Sequence, residues 1–263
     1  MAQNYTYVTG TYNGCDLRII RTEAWNIVMG GLRQEKTLAS GYFYGINGGF
    51  FEPITSSDDS NKENTKEIAL NNNTPIYYKT KNGKDTGGWH NKMGSACLCY
   101  DNANKKLVFR SNAAPSGSGL NKIMSSGDSL DNVVAASTRY WAQGGPDFRL
   151  GMPDGSWEDD LETELGGIPV NNTTKSTRTC ICANLSANMV YLIITTSSVT
   201  IPAFRKAVHS YLYVPTSGYH TNVVGIFLDG GGSTSMRCAD NNGKVVNFGS
   251  RKLEQIIALR DVN

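Results

Sequence analysis

The run Val223-Val224-Gly225-Ile226-Phe227-Leu228 constrains the fold more than any other stretch of the chain. Its apolar side chains lack the spacing of an amphipathic helix, so it predicts a strand that must be covered on both faces. At Asp229 the run stops, and Gly230, Gly231 and Gly232 follow. Glycines reach backbone angles that other residues avoid, so amides there can turn toward an oxyanion or a sugar, with side-chain oxygens of Asp229, Ser233 and Thr234 beside them. A tight turn with a solvated aspartate would read the same way, and only context separates the two.

That context is repetition. Tyr42 to Ile46 leads into Asn47-Gly48-Gly49-Phe50-Phe51-Glu52, a second strand that ends in glycines among polar groups. Asn47 can donate and accept, which suits a sugar hydroxyl or a phosphate oxygen, and Glu52 is a candidate general acid or base. The competing reading is a β-turn whose aromatic pair plugs the core. Val133 to Trp141 runs in the same manner into the paired glycines Gly144 and Gly145. Gly87-Gly88-Trp89-His90 forms another glycine-flanked loop, and of the three histidines His90 is the candidate for binding. An isolated histidine is more often structural, as expected of His209 on a helix and His220 in a loop.

Between these stops the chain punctuates itself with 28 glycines against 8 prolines, which favours short strands joined by turns. The prediction is an α+β fold, a β-rich mixed sheet with a few packed helices, as a single domain over residues 1–263. Thr200 caps a helix with Pro202 in its first turn, and Phe204, Val208, Tyr211 and Leu212 recur on one face. Ala24 to Leu32 fits a helix or a strand equally. Ile54 to Asn73 reads as a polar surface excursion able to act as a lid, and Asp159, Asp160, Glu162 and Glu164 as a solvated acidic face.

Composition excludes several classes of partner. A net charge of +2 without a long basic run leaves no nucleic-acid footprint. No apolar segment is long enough to span a bilayer, so a soluble protein with no membrane partner is expected. The N-terminus lacks a basic segment followed by an apolar core, which favours a cytoplasmic or phage-associated location over secretion. The six cysteines include the pairs Cys97/Cys99 and Cys180/Cys182 within strand-like runs. Buried structural thiols are the leading reading, with inter-strand disulfides and a four-thiolate metal site as alternatives. No cofactor is expected.

Taken together, Asn47-Gly48-Gly49-Phe50-Phe51, Gly144-Gly145-Pro146, Arg178-Thr179 and Asp229-Gly230-Gly231-Gly232-Ser233-Thr234 resemble, in the same order, the motifs of the phosphodiester glycosidase family. The resemblance covers roughly residues 43–259. It implies hydrolysis of the bond between a sugar's anomeric carbon and a phosphodiester oxygen, on a small-molecule or polymeric substrate. It also implies a pocket built from Asn47, Gly48, Arg178, Asp229 and the amides of Gly230, Gly231 and Gly232, with Ser233 and Thr234 nearby. Arg178 would match phosphate oxygens, while Asp229 would stabilise an oxocarbenium-like sugar or activate water, with Glu52 as second carboxylate. Gly144, Gly145 and His90 complete the expected binding set. The family's closing motif carries Glu-Arg, whereas Ser250-Arg251 keeps only the arginine. The alternative is a carbohydrate- or phosphate-binding module that has kept the pocket without the chemistry.

Overall fold

A computed structural model describes residues 3–51, 67–71, 74–75, 80–81, 84–85, 96–101, 104–111, 140–155, 157–165, 173–215, 220 and 222–262. Its strands, in chain order, are β1 (Tyr5–Tyr12), β2 (Cys15–Glu23), β3 (Ile27–Gly31), β4 (Gly45–Asn47), β5 (Ala69–Asn71), β6 (Thr74–Pro75), β7 (Thr80–Lys81), β8 (Lys84–Asp85), β9 (Ala96–Asp101), β10 (Lys106–Arg110), β11 (Tyr140–Gly145), β12 (Thr179–Asn184), β13 (Met189–Thr195), β14 (Val223–Leu228), β15 (Met236–Ala239), β16 (Val245–Phe248) and β17 (Gln255–Leu259). Among the described residues two α-helices accompany them, α1 (Glu158–Glu164) and α2 (Ile201–Leu212). Three five-stranded sheets result, ordered β1-β2-β13-β12-β14, β10-β9-β11-β5-β6 and β16-β15-β4-β17-β3. The β-rich α+β class expected is what forms; its pairings, expected to be mixed, are antiparallel in every described case.

The first sheet is the central layer. One face buries Ile20, Ile181, Leu192, Ile194, Ile226 and Leu228 against residues of the other two sheets such as Leu98, Trp141, Ile46, Met236 and Ile257. Its other face sends Leu17, Ile19, Cys180, Cys182, Ile193 and Phe227 against Phe204 and Val208 of α2 and Leu161 of α1. Covering on both sides explains why β12, β13 and β14 read as continuous apolar runs although they pair antiparallel. Leu17 and Ile19 face one cluster and Ile20 the other, as period-two alternation requires.

Helix α2 starts where its sequence says it should. Thr200 caps it, its Oγ1 accepting from the Ala203 amide at 3.3 Å. Phe204 and Val208 are fully buried, and Phe204 stacks near Phe148 with ring centroids 5.3 Å apart. Truncating Phe204 to alanine would cost about 3–5 kcal/mol. Arg205 is buried as well, which the apolar stripe does not announce. Its guanidinium donates to Asp154 at 2.8 Å and to the carbonyls of Arg149 and Met152 at 2.7 and 2.6 Å, and lies 4.5 Å from the Trp157 ring centre. Those bonds pair three of the five N–H groups and offset much of the cost of taking the fork out of water, while Nε is buried without a hydrogen bond among the described residues.

Four local expectations meet the structure differently. Ala24 to Leu32, left open between helix and strand, is a short 3-10 turn over Ala24–Asn26 followed by β3. The polar excursion 54–73 is not all surface, because Glu67, Ile68, Ala69 and Leu70 are fully buried where β5 pairs with β11; residues 54–66 lie outside the described residues. Glu164 leaves the solvated acidic face and turns inward to pair with Arg149. The six cysteines are buried, free thiols, as the leading reading expected, with the sulfurs of Cys180 and Cys182 3.5 Å apart on one face of β12.

Candidate functional site

The carboxyl end of β14 is where two sheets meet. In the ladder of β12 with β14, Thr179 pairs with Leu228, so the residues just beyond, Arg178 and Asp229, leave the sheet at the same end. Asn47 closes β4 in another sheet, pairs with Ile256 of β17, and its amide donates to the Ser235 carbonyl at 3.2 Å. Its carboxamide crosses between the sheets. Nδ2 donates to the carbonyls of Asp229 at 2.7 Å and Gly48 at 3.1 Å, while Oδ1 accepts from the Ser235 amide at 3.0 Å and the Thr179 hydroxyl at 3.1 Å. Two donors and two acceptor sites are the whole capacity of a carboxamide. The side chain expected to meet a ligand is therefore spent on holding the Asp229 turn to β4 and β12.

Asp229 heads that turn. Burial raises its pKa above the ordinary carboxylate range, and the Ser233 hydroxyl, the Arg251 charge and the Gly230 amide pull it back in part. Gly231 takes a left-handed φ of +61°, and its amide donates to the Thr177 carbonyl at 2.8 Å. The Gly230 amide acts on the Asp229 carboxyl by lowering its pKa. The amide of Gly232 takes no partner among the described residues.

Two arginines flank this turn. A Cβ on Gly230 would stand 3.9 Å from Cδ of Arg178, and one on Gly232 would stand 3.7 Å from Nη1 of Arg251. Arg178 is anchored by carbonyls, Nε donating to Val199 at 3.2 Å and Nη2 to Thr174 at 3.0 Å, and burial lowers its pKa. Its other N–H groups remain for an anion, among the described residues. Arg251 donates from Nη1 to the Ser233 hydroxyl at 3.1 Å and lies 5.2 Å from the Phe51 ring centre. Ser233 thus links Asp229 to Arg251. Thr234 is buried, its hydroxyl 3.3 Å from that of Thr179, so it supports the turn from beneath.

The structure gathers Asn47, Gly48, Arg178, Asp229, Gly230, Gly231, Gly232, Ser233 and Thr234 at one place. Glu52 and His90 lie outside the described residues. Gly144 and Gly145, expected in the binding set, lie buried inside β11; Gly144 donates to the Ile68 carbonyl at 2.7 Å. A side chain on Gly145 would meet Ile226 at 2.7 Å and the Phe227 carbonyl at 3.1 Å, so glycine is needed for close approach to β14. Among the described residues no group of three or more His, Cys, Asp or Glu could hold a metal.

Sequence reading missed a buried polar floor next to the turn. The carboxylate of fully buried Glu67 packs against Gly49, where any Cβ would collide with its Oε2. The Gly49 amide donates to Gln255 Oε1 at 3.2 Å, and Gln255 Nε2 donates to Gln143 Oε1 at 2.5 Å. The second glycine of the Asn47 motif is thus demanded by a carboxylate from the stretch that reads as surface. A lone Glu ahead of Ile68-Ala69-Leu70 was the available signal.

No family model matches the sequence, and no curated protein matches it. Solved structures do. The fold is similar to the catalytic domain of zebrafish N-acetylglucosamine-1-phosphodiester α-N-acetylglucosaminidase auto-inhibited by its pro-peptide, at a TM-score of 0.52 and 12% identity over 99% of this chain and 83% of that one. A hypothetical protein from Synechocystis follows at a TM-score of 0.43 and 12% identity, covering 97% of this chain and 61% of that one. A Burkholderia pseudomallei protein has a TM-score of 0.43 and 13% identity, covering 93% and 74%. At such identities the likeness is one of fold.

Proposed function

We propose that this chain is a hydrolase that cleaves the bond between a sugar's anomeric carbon and a phosphodiester oxygen. The observation that carries the reading is the meeting of a half-buried guanidinium, a half-buried carboxylate and an unspent glycine amide at the end of β14. The fold-level likeness to a hydrolase domain whose name states this bond supports it. Arg178 and Arg251 bind the phosphate oxygens, and the Gly232 amide takes the charge that grows on the leaving oxygen. Asp229 faces the anomeric carbon, either stabilising its positive charge or taking a proton from the attacking water. The water oxygen bonds to that carbon, the bond to the phosphodiester oxygen breaks, and its electron pair departs with a phosphate monoester. Such a leaving group requires little help from a general acid.

Asn47 acts through Asp229, as a positioning residue. Incubation with a panel of glycosyl-1-phosphodiesters, watching for free sugar and phosphate monoester, tests the reading. Release by the native chain and its loss in Asp229→Asn, with the fold intact by circular dichroism, is expected. Binding across the panel without release would make the protein a sugar-phosphate binding module instead.

A further inference from the structure

Trp25 presents an indole to solvent, 38% exposed, at the junction between β2 and β3. It is held rather than loose. Its Nε1 donates to Glu23 Oε2 at 2.7 Å, and the residue before it is pinned twice: the Ala24 amide donates to the Asn188 carbonyl at 2.9 Å, and the Ala24 carbonyl accepts from Trp141 Nε1 at 2.8 Å. Trp25 and Glu23 form a ridge shared by two open clefts of about 490 and 450 Å³. Lys105 and Asn188 line the first, and Thr6 and Arg21 the second.

We propose that this ridge is an oligosaccharide-binding site, with one sugar stacked on the Trp25 face and its neighbours in the two clefts. A fixed indole with an apolar face and polar surroundings suits a pyranose, whose C–H face packs on a ring while its hydroxyls reach donors and acceptors at the edge. Each cleft falls within the usual range for a small ligand. Preorganisation by the Ala24 peptide lowers the ordering cost of binding. The ladder places the ridge far from Asp229. Glu23 pairs with Met189, Met189 with Asn184 and Asn184 with Val223, the opposite end of the first sheet from Leu228. The six residues of β14 separate the two places by about 17 Å along the sheet. The site would therefore anchor a glycan chain without touching the chemistry.

Tryptophan-fluorescence and calorimetric titration with chitohexaose, cellohexaose and a hyaluronan hexasaccharide tests this, independently of any turnover. Binding of at least one is expected, weakened by about tenfold or more in Trp25→Ala and by less in Trp25→Phe, which keeps a flat face. Release of sugar from a small glycosyl-1-phosphodiester should be the same in Trp25→Ala as in the native chain. If none of the three binds by millimolar concentration, or the alanine variant binds as tightly, the proposal is overturned. A chain that binds a hexasaccharide through Trp25 yet shows no turnover would retain this site and lose the hydrolase reading.

Discussion

Asp229 and Asp147 both lie against β14 beside arginines, the first following Leu228 and the second bridged to Ile226. Burial raises the pKa of both, that of Asp147 to about 7. Their surroundings differ in what is left over. Arg149 faces three carboxylates, Asp147 at 3.2 Å, Asp160 at 3.9 Å and Glu164 closer still, and the Asp147 amide donates to Glu164 at 2.7 Å. That guanidinium is consumed by protein. Arg178 is fixed by carbonyl oxygens, which restrain its side chain without neutralising its charge. A perturbed carboxylate next to an arginine thus makes a clamp where the cation is spent and a candidate site where it is not.

The sharpest break in this comparison is Asp229→Asn. Turnover should fall by about a thousandfold or more, while the thermal midpoint stays close to that of the native chain. In the native chain the rising limb of the pH–rate profile should lie above the ordinary carboxylate range, because burial holds the proton on Asp229. Unchanged turnover would remove Asp229 from the chemistry.

Arg149→Met should do the opposite. It leaves Asp147 and Glu164 buried without their counter-charge, at a cost of about 3–5 kcal/mol in denaturant unfolding, with kcat of the folded fraction unchanged. A loss of kcat without loss of stability would place the clamp in the catalytic machinery.

Arg178→Lys keeps the charge and loses the fork, so kcat/KM should drop by about 10–100-fold on a phosphodiester. An unchanged value would place the anion elsewhere.

The smallest effect concerns pH. Asp147 binds its proton more tightly folded than unfolded, so its contribution to stability is fullest below pH 3.8 and is lost as pH rises toward about 7. Asp147→Asn should remove that slope, narrowing the difference in thermal midpoint between pH 5 and pH 8 by about 5–10 °C. Equal slopes in the two proteins would mean that Asp147 ionises freely.

Much of the scaffold was legible from local chemistry. The apolar runs of β12, β13 and β14, the Thr200 cap and the glycine stop after Leu228 each follow from residues adjacent in the chain. The expectation that Asn47, Arg178 and Asp229 share one place came from resemblance of motifs, and the ladders of β12 and β4 supply its geometry. What stayed hidden were partners distant in sequence. Glu67 is marked only by the apolar Ile68-Ala69-Leu70 that follows it, Arg251 stands out only as the arginine kept from the closing motif with no partner named for it, and Gly145 has the letters of a ligand loop while serving close approach to β14.

Sequence by itself determined where strands run and where they must stop, because backbone freedom and the covering of apolar faces are set by neighbours along the chain. Tertiary structure alone decided which polar groups are used up. Whether a carboxamide or a guanidinium has a hydrogen left to give depends on atoms that folding brings from other sheets: Asn47 has none, and Arg178, among the described residues, still does.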